Sequence, residues 1–486
     1  MMIPFSTVLV IIFTIVVSPA IAIAVGVSLK SYRKKRNPKF PPGAMGWPLV
    51  GSTFSFFKPH PPSSLGDFME QHLSRYGKVF SMSFLGEMVV VSADAELNRY
   101  VLQNEMRLFR NSLPAHFRKL IGDFSMAMLM GDAYRHKKTV LLAFLNKARL
   151  QGGFVRGVER LADTLTASWT DRGVIFAREE ANKVEDFVFV LCDREKSHGI
   201  NPRGLRSRAA EEGLHDTLQR DPCTSINLPG STHREALKAR ANIVKTIKKK
   251  LDARKARGSG DEEDDLLGCL IEEGTYDWEN ICDTVQGFIF AGLVTSSTVM
   301  SLAMYFLENC PKALEQMREE HLECMRSKKQ NGDGKLTWDD YRNMEFTQNV
   351  ISETLRLGNV VGNLWKKAMK DVEFKGYFIP EGTTVITHLA AVHLDPSVFE
   401  NPGQFNPWRW SAKDVKKANN LLPFGGGVRH CMGSELARVE ISVFLHYLIL
   451  NYNWESVEPD QPVSFPQVTS SRTCRFASEP QITGFR

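Results

Sequence analysis

The sequence predicts a mainly α-helical fold with a smaller β-rich region, carried behind an N-terminal membrane anchor. Three observations point to it. Residues 3–29, IPFSTVLVIIFTIVVSPAIAIAVGVSL, carry no charge and are long enough to cross a hydrocarbon core of about 30 Å. Beyond the connector FPPGAMGWPLVGS at 40–52, helix-period apolar spacing recurs along the chain, while KVFSMSFLGEMVVVSA at 78–93 reads as a hairpin. The segment 280–311 is apolar for too long to be a surface helix; at 1.5 Å per residue it runs roughly 45 Å and belongs in a buried centre.

The composition of the 486 residues, 43% hydrophobic and 24% charged, excludes wholesale disorder and supplies a large core. A cleaved signal peptide competes with the anchor, since AIA at 20–22 resembles a cleavage site. No basic residue precedes the apolar run, however, and six follow it in KSYRKKRNPK at 30–39, which favours an uncleaved single pass with the remainder in the cytosol. The net charge of +6 is modest and concentrated in that cluster, a membrane-proximal pattern that gives no reason to expect a nucleic-acid partner. The expected organisation is an anchor at 1–29, a basic and proline-rich linker at 30–52 and one folded domain at 53–486.

Within that domain, 63–77 and 94–105 flank the hairpin with helical spacing, and 132–172 and 232–257 are helical. The polar stretch 186–222 has poor periodicity and reads as a surface loop, with a remodelled substrate roof as the alternative; 256–265, ARGSGDEEDD, is a hydrophilic linker. A second membrane span competes for 280–311. Its flanks, Asp283 and Glu308, are acidic, and Thr295, Ser296, Ser297 and Thr298 follow one another, so the buried core helix is preferred. Eight cysteines, at 192, 223, 269, 282, 310, 324, 431 and 474, form no CxxC pair, which excludes a disulfide framework and a zinc site and fits a reducing compartment.

In the helical stretch 345–361, Glu353 and Arg356 share a face. Such a pair is usually solvated, but FNPWRW at 405–410 offers Arg409 in an aromatic setting, and a buried Glu353 flanked by both arginines would tie two distant segments together. The run LLPFGGGVRHCMG at 421–433 sets Cys431 after three glycines and beside Arg429 and His430. A glycine turn beside cations suits a thiolate acting as ligand or nucleophile; the plainer reading is that the glycines only end one element before the next helix.

Taken together, these segments resemble the cytochrome P450 family of haem-thiolate monooxygenases over residues 40–486. The family's Phe-x-x-Gly-x-Arg-x-Cys-x-Gly loop is matched by Phe424, Gly427, Arg429, Cys431 and Gly433, its Glu-x-x-Arg by Glu353 and Arg356, and its aromatic-arginine segment by Arg409. Its oxygen-groove sequence falls at Ala291, Gly292 and Thr295. The resemblance implies a haem b with Cys431 as axial iron ligand, Phe424 shielding the sulfur and Arg429 on a haem propionate, with Tyr134, Lys138 and Lys366 as further cofactor contacts. It implies O2 as oxidant, with Gly292 leaving room for it and the Thr295 hydroxyl bonding the carbonyl four residues back to open the helix. NADPH-derived electrons would come from a flavoprotein reductase docking near Arg429, His430 and Arg438 at the endoplasmic reticulum membrane. Stretches such as VSADAELNRYVLQNE, CPKALEQMREEHLE and NNLLPFGGG are similar to plant steroid 22-hydroxylases of brassinosteroid synthesis, which implies a sterol side chain as substrate.

The chain departs from that pattern. Val294 stands where an acid usually precedes the groove threonine, Lys138 replaces a planar arginine fork, Phe124 stands for a tryptophan, and Gly362, Trp365 and Lys366 replace basic residues and a histidine. Two rival functions follow from these departures: a haem-thiolate isomerase or dehydratase needing no external electrons, and a non-catalytic haem-binding relative.

Overall fold

The computed structural model describes residues 37–47, 50–113, 115–150, 153–169, 174–177, 180–181, 231–257, 265–331, 336–412 and 414–456, with short strands at 463–464, 469–470 and 475–480. The anchor 1–29, residues 30–36, 48 and 49 of the linker, the polar stretch 186–222 and residues 258–264 lie outside them.

The hairpin expected within 78–93 forms. Val79–Phe84 pairs antiparallel with Glu87–Ser92, placing Phe80 opposite Val91, around Leu85 and Gly86 in the left-handed region. It enters a six-stranded sheet in the order Gly43–Ala44, Val79–Phe84, Glu87–Ser92, Thr384–His388, Asn363–Ala368, Phe109–Asn111. Residues on both faces of the inner strands are buried, as in Met88 to Val91 and Thr384 to His388.

Helices begin at acidic caps. Asp94 accepts from Leu97 N at 2.7 Å to start Ala95–Gln103, and Asp277 accepts from Asn280 N at 2.7 Å to start Trp278–Glu308. The predicted 132–172 stretch is two helices, Gly131–Leu150 and Gly153–Ala167, and the predicted 232–257 helix is Thr232–Arg257. The long apolar helix Trp278–Glu308 is central: it packs on Thr232–Arg257, Glu345–Gly358 and Ser434–Asn451. Its Val299, Met300, Ala303 and Leu307 share one core with Val350, Ile351, Phe444 and Leu448, which satisfies its apolar faces without lipid. Asn359, left-handed at φ 39°, ends Glu345–Gly358 and turns the chain into the sheet.

Candidate active site

The 421–433 loop closes on itself through Cys431 N donating to Phe424 O at 3.1 Å. Gly425 and Gly427 adopt φ of 70° and 65°. At Gly427 a Cβ would stand 2.1 Å from the Leu102 carbonyl oxygen, so the loop lies directly against the end of Ala95–Gln103. Cys431 is then presented to a cavity of about 450 Å³, just before the helix Ser434–Asn451 begins. Although Cys431 is exposed to the cavity, the protein encloses it, and burial pushes its thiol up against the lowering effect of the Gly433 N–H. Cations nearby are engaged elsewhere, and a metal ion on the sulfur would hold it deprotonated.

The central helix lines the same cavity with Ala291, Gly292, Thr295 and Ser296. The Thr295 hydroxyl donates to Ala291 O at 2.8 Å, the bond expected from the sequence. The helix nevertheless runs unbroken through this point, because a threonine hydroxyl can share an acceptor carbonyl without removing it from the ladder. Val294 is not among the residues lining the cavity; its carbonyl accepts from Thr298 Oγ1 at 2.6 Å.

One end of the cavity is cationic, and its organiser is a residue that sequence reasoning missed. Glu105, buried just past Ala95–Gln103, accepts from Lys366 Nζ at 2.6 Å and lies 2.5 Å from Arg429 Nε. Lys366 also donates to Asn111 Oδ1 at 2.5 Å. Burial lowers the Lys366 ammonium, and Glu105 raises it in opposition. Arg429 donates at 2.5 Å to both Met126 O and Leu129 O and lies 4.3 Å from the Tyr134 ring centroid. Tyr134 lines the cavity and its hydroxyl donates to Val428 O at 3.2 Å. Lys138 donates to the same carbonyl at 2.5 Å but does not line the cavity, so it braces the cysteine loop from behind. The only sequence signal for Glu105 was its place in VLQNE, where a lone acid after a helix reads as solvated.

Behind the site, Glu353 and Arg356 are fully buried and Arg409 nearly so. Glu353 accepts from Arg356 Nε and Nη2 at 2.9 and 2.8 Å, from Arg409 Nε at 2.9 Å, from Asn406 N at 3.0 Å and from Trp410 Nε1 at 3.0 Å. The pair is the interior tie, not the solvated one, and it fixes 404–410 against Glu345–Gly358.

Other expectations are revised. Arg429 and Arg438 do not form an outward docking surface: Arg429 faces Glu105, and Arg438 lies 3.3 Å from Gln348 Oε1 and Ser352 Oγ with its guanidinium over Phe424. Of the three, only His430 is exposed. Trp365 is packing, 4.7 Å from the Phe84 ring centroid, and does not line the cavity. Phe124 contributes its backbone, accepting from Lys137 Nζ at 2.8 Å and donating to Asp283 at 3.1 Å. Among the described residues no cysteine is joined in a disulfide.

The donor set fits a flat dianionic macrocycle carrying a metal. A single sulfur stands in a glycine turn, Leu102, Leu364 and Phe424 supply apolar wall, and Arg429 and Lys366 at one end match carboxylates. Comparison with known proteins bears on the same point. The family model described as Cytochrome P450 matches residues 207–473. The chain is 42% identical over 465 residues to "Steroid (22S)-hydroxylase" of Brachypodium distachyon, covering 93% of this chain and 91% of that one. It is 42% identical over 447 residues to "Cholesterol 22-hydroxylase CYP90B27" of Paris polyphylla, covering 90% and 92%. Among solved structures, "Retinoic acid bound cyanobacterial CYP120A1" superposes with a TM-score of 0.77 at 23% identity, over 91% of this chain and 99% of that one, a likeness of fold. A matching family model over more than half the chain, relatives above 40% identity along nine tenths of it and the cysteine loop facing the Thr295 helix lead to one assignment: the chain belongs to the cytochrome P450 family.

Proposed function

We propose that this protein is a haem-thiolate monooxygenase that hydroxylates a sterol side chain, at C-22. The observation that carries the reading is that Cys431 and the Ala291–Thr295 segment line one cavity with otherwise largely apolar walls, in a chain whose relatives carry sterol 22-hydroxylase names. Cys431 would hold the haem iron, with Arg429 and Lys366 toward its carboxylates, Glu105 sharing both cations, and Tyr134 beside them. Phe424 sits in the wall next to the sulfur, where it limits water. A bound haem supplies dioxygen binding and O–O cleavage, which an anionic sulfur ligand favours. Gly292, with no side chain, leaves space on the helix wall, and Thr295 holds its hydroxyl there through Ala291. The apolar remainder suits a sterol side chain, whose recognition needs few polar contacts.

The charge-free run 3–29 and the basic cluster behind it support a single-pass anchor in the endoplasmic reticulum membrane, with 53–486 as a cytosolic catalytic domain. An NADPH-dependent flavoprotein reductase is the matching electron source. The isomerase or dehydratase reading loses its motive, since position 294 lies outside the cavity lining, and the names of the relatives point to hydroxylation. The test is a reduced carbonyl difference spectrum followed by a sterol panel with reductase and NADPH, products located by mass spectrometry. The expected result is a thiolate-type spectrum lost in Cys431→Ala and a C-22 hydroxysterol that forms only with NADPH. A thiolate-type spectrum surviving in Cys431→Ala, or product without NADPH, would overturn it.

A further inference from the structure

His393 closes the short helix Leu389–His393, is buried, and does not line the cavity. Three of its polar groups are engaged. Its carbonyl accepts from Arg356 Nη1 at 2.8 Å, its Nδ1 lies 2.7 Å from Asn359 Oδ1, and its Nε2 lies 3.0 Å from the Leu422 backbone nitrogen. A backbone N–H can only donate, so Nε2 is the acceptor, the ring is neutral, and its one N–H sits on Nδ1 and donates to Asn359 Oδ1. Asn359 Nδ2 in turn donates to Leu357 O at 3.4 Å, which keeps the amide oxygen toward the ring. Burial and the Arg356 charge lower the imidazole to about 3, which agrees with a ring that stays neutral.

The two ring partners stand at the edges of the site. Asn359 is the left-handed residue that ends Glu345–Gly358, and Val360 and Val361, which follow it, line the cavity. Leu422 opens the cysteine turn: its carbonyl accepts from Gly425 N at 3.0 Å, Pro423 and Phe424 line the cavity, and Phe424 O accepts from Cys431 N at 3.1 Å. We propose that His393 is a positioning residue for Cys431: its Nε2 lone pair seats the start of the cysteine turn, and its Nδ1–H keeps that seat in register with Val360 and Val361. It acts through Leu422 on the sulfur side and through Asn359 on the substrate side. The inference rests on the reading of Cys431 as the haem iron ligand.

The two arms are chemically separable. An asparagine amide reaches the place of Nδ1 and keeps a donor for Asn359 Oδ1, but leaves the Leu422 N–H without its acceptor. A glutamine oxygen reaches the place of Nε2 and keeps the Leu422 bond, but leaves Asn359 Oδ1 without its donor. Phenylalanine fills similar space and keeps neither. A side chain that only filled the interior would respond to lost volume, and not to which of its two nitrogens had been replaced.

The test compares full-length, haem-loaded wild type with His393→Asn, His393→Gln and His393→Phe, with circular dichroism to verify folding. Hydrogen–deuterium exchange of the peptides that hold 421–424 and 357–361 reports each arm without turnover. The reduced carbonyl spectrum reports the sulfur, and a spectral titration with cholesterol reports the substrate side. In His393→Asn, exchange at 421–424 should be about ten-fold faster and part of the thiolate-type band should be lost, with cholesterol affinity close to wild type. His393→Gln should keep that band and the protection at 421–424, exchange faster at 357–361, and bind cholesterol about ten-fold more weakly. His393→Phe should show both sets of losses. Asparagine and glutamine variants that change the same readouts to the same extent overturn the proposal, as does a His393→Asn with wild-type exchange at 421–424 and a full thiolate-type band. A wild type without a thiolate-type band overturns the ligand reading itself, and is told apart because failure of His393 alone leaves the wild-type spectrum intact.

Discussion

Replacing Glu353 by alanine strands two guanidinium groups in the interior. The carboxylate accepts five N–H bonds, from Arg356 twice, Arg409, Asn406 and Trp410, all between 2.8 and 3.0 Å. After its removal Arg356 keeps the carbonyls of His393, Pro402 and Gln404, and Arg409 those of Glu400 and Gln404. Those dipoles orient the cations without neutralising them. Removing one partner of a buried pair costs about 3–5 kcal/mol, and two uncompensated cations put this site at the upper end, about 5 kcal/mol. That is a large share of the roughly 5–15 kcal/mol that holds a domain folded. The assay is urea unfolding of the haem-loaded protein, followed by tryptophan fluorescence and by haem absorbance. Glu353→Ala should shift both midpoints together and leave little folded protein at 37 °C. Replacing Glu353, Arg356 and Arg409 together by methionine should recover part of the loss, since no charge is then left unpaired. A Glu353→Ala protein within about 1 kcal/mol of wild type would refute the reasoning, because a solvated surface pair is worth no more.

Gly427→Ala should lose the haem absorbance while circular dichroism keeps its helical signal, because the new methyl meets the Leu102 carbonyl at 2.1 Å; Gly425→Ala, whose nearest neighbour is Leu364 Cδ1 at 3.7 Å, should cost only the left-handed strain of about 1–2 kcal/mol. Equal behaviour of the two variants would contradict the packing described. Burial lowers His388 and His446 to about 4 and His393 to about 3 from an ordinary value of 6.5, so stability is full above pH 6.5 and is lost as pH falls toward those values. Each should remove about 2 kcal/mol by pH 5, partly offset by Glu440, whose raised carboxyl stabilises toward acid; unfolding measured from pH 7 to 5 should flatten in His393→Asn, and an unchanged slope would contradict it.

What the sequence made legible was local. The hairpin at 79–92 follows from alternation, and the helix starts at Asp94 and Asp277 from single capping residues. Glu353 and Arg356 are one helical turn apart, and the glycines around Cys431 mark their own turn. What stayed hidden were pairings across the chain. Glu105 meets Lys366 and Arg429 only once the sheet has brought 363–368 beside 109–111, and Glu440 meets Ser296 only when two helices far apart in sequence pack together. An acid in VLQNE or LARVE carries no mark of burial, since its neighbours alternate between apolar and polar as on any helix flank. Lys138 misled in the opposite sense: the resemblance placed it among the cofactor contacts, while the direction of its helix turns it to Val428.

The hold of Arg429 on the carbonyls of Met126 and Leu129 reaches beyond anchoring. Met126 and Ala127 line the cavity, while Arg429 stands two residues before Cys431. Guest-facing wall and iron-facing turn therefore form one mechanical piece, joined by a single guanidinium. Redesigning residues 126–130 to admit a bulkier guest will pull on the sulfur as well, so selectivity and the electronic character of the metal in this enzyme should drift together under mutation.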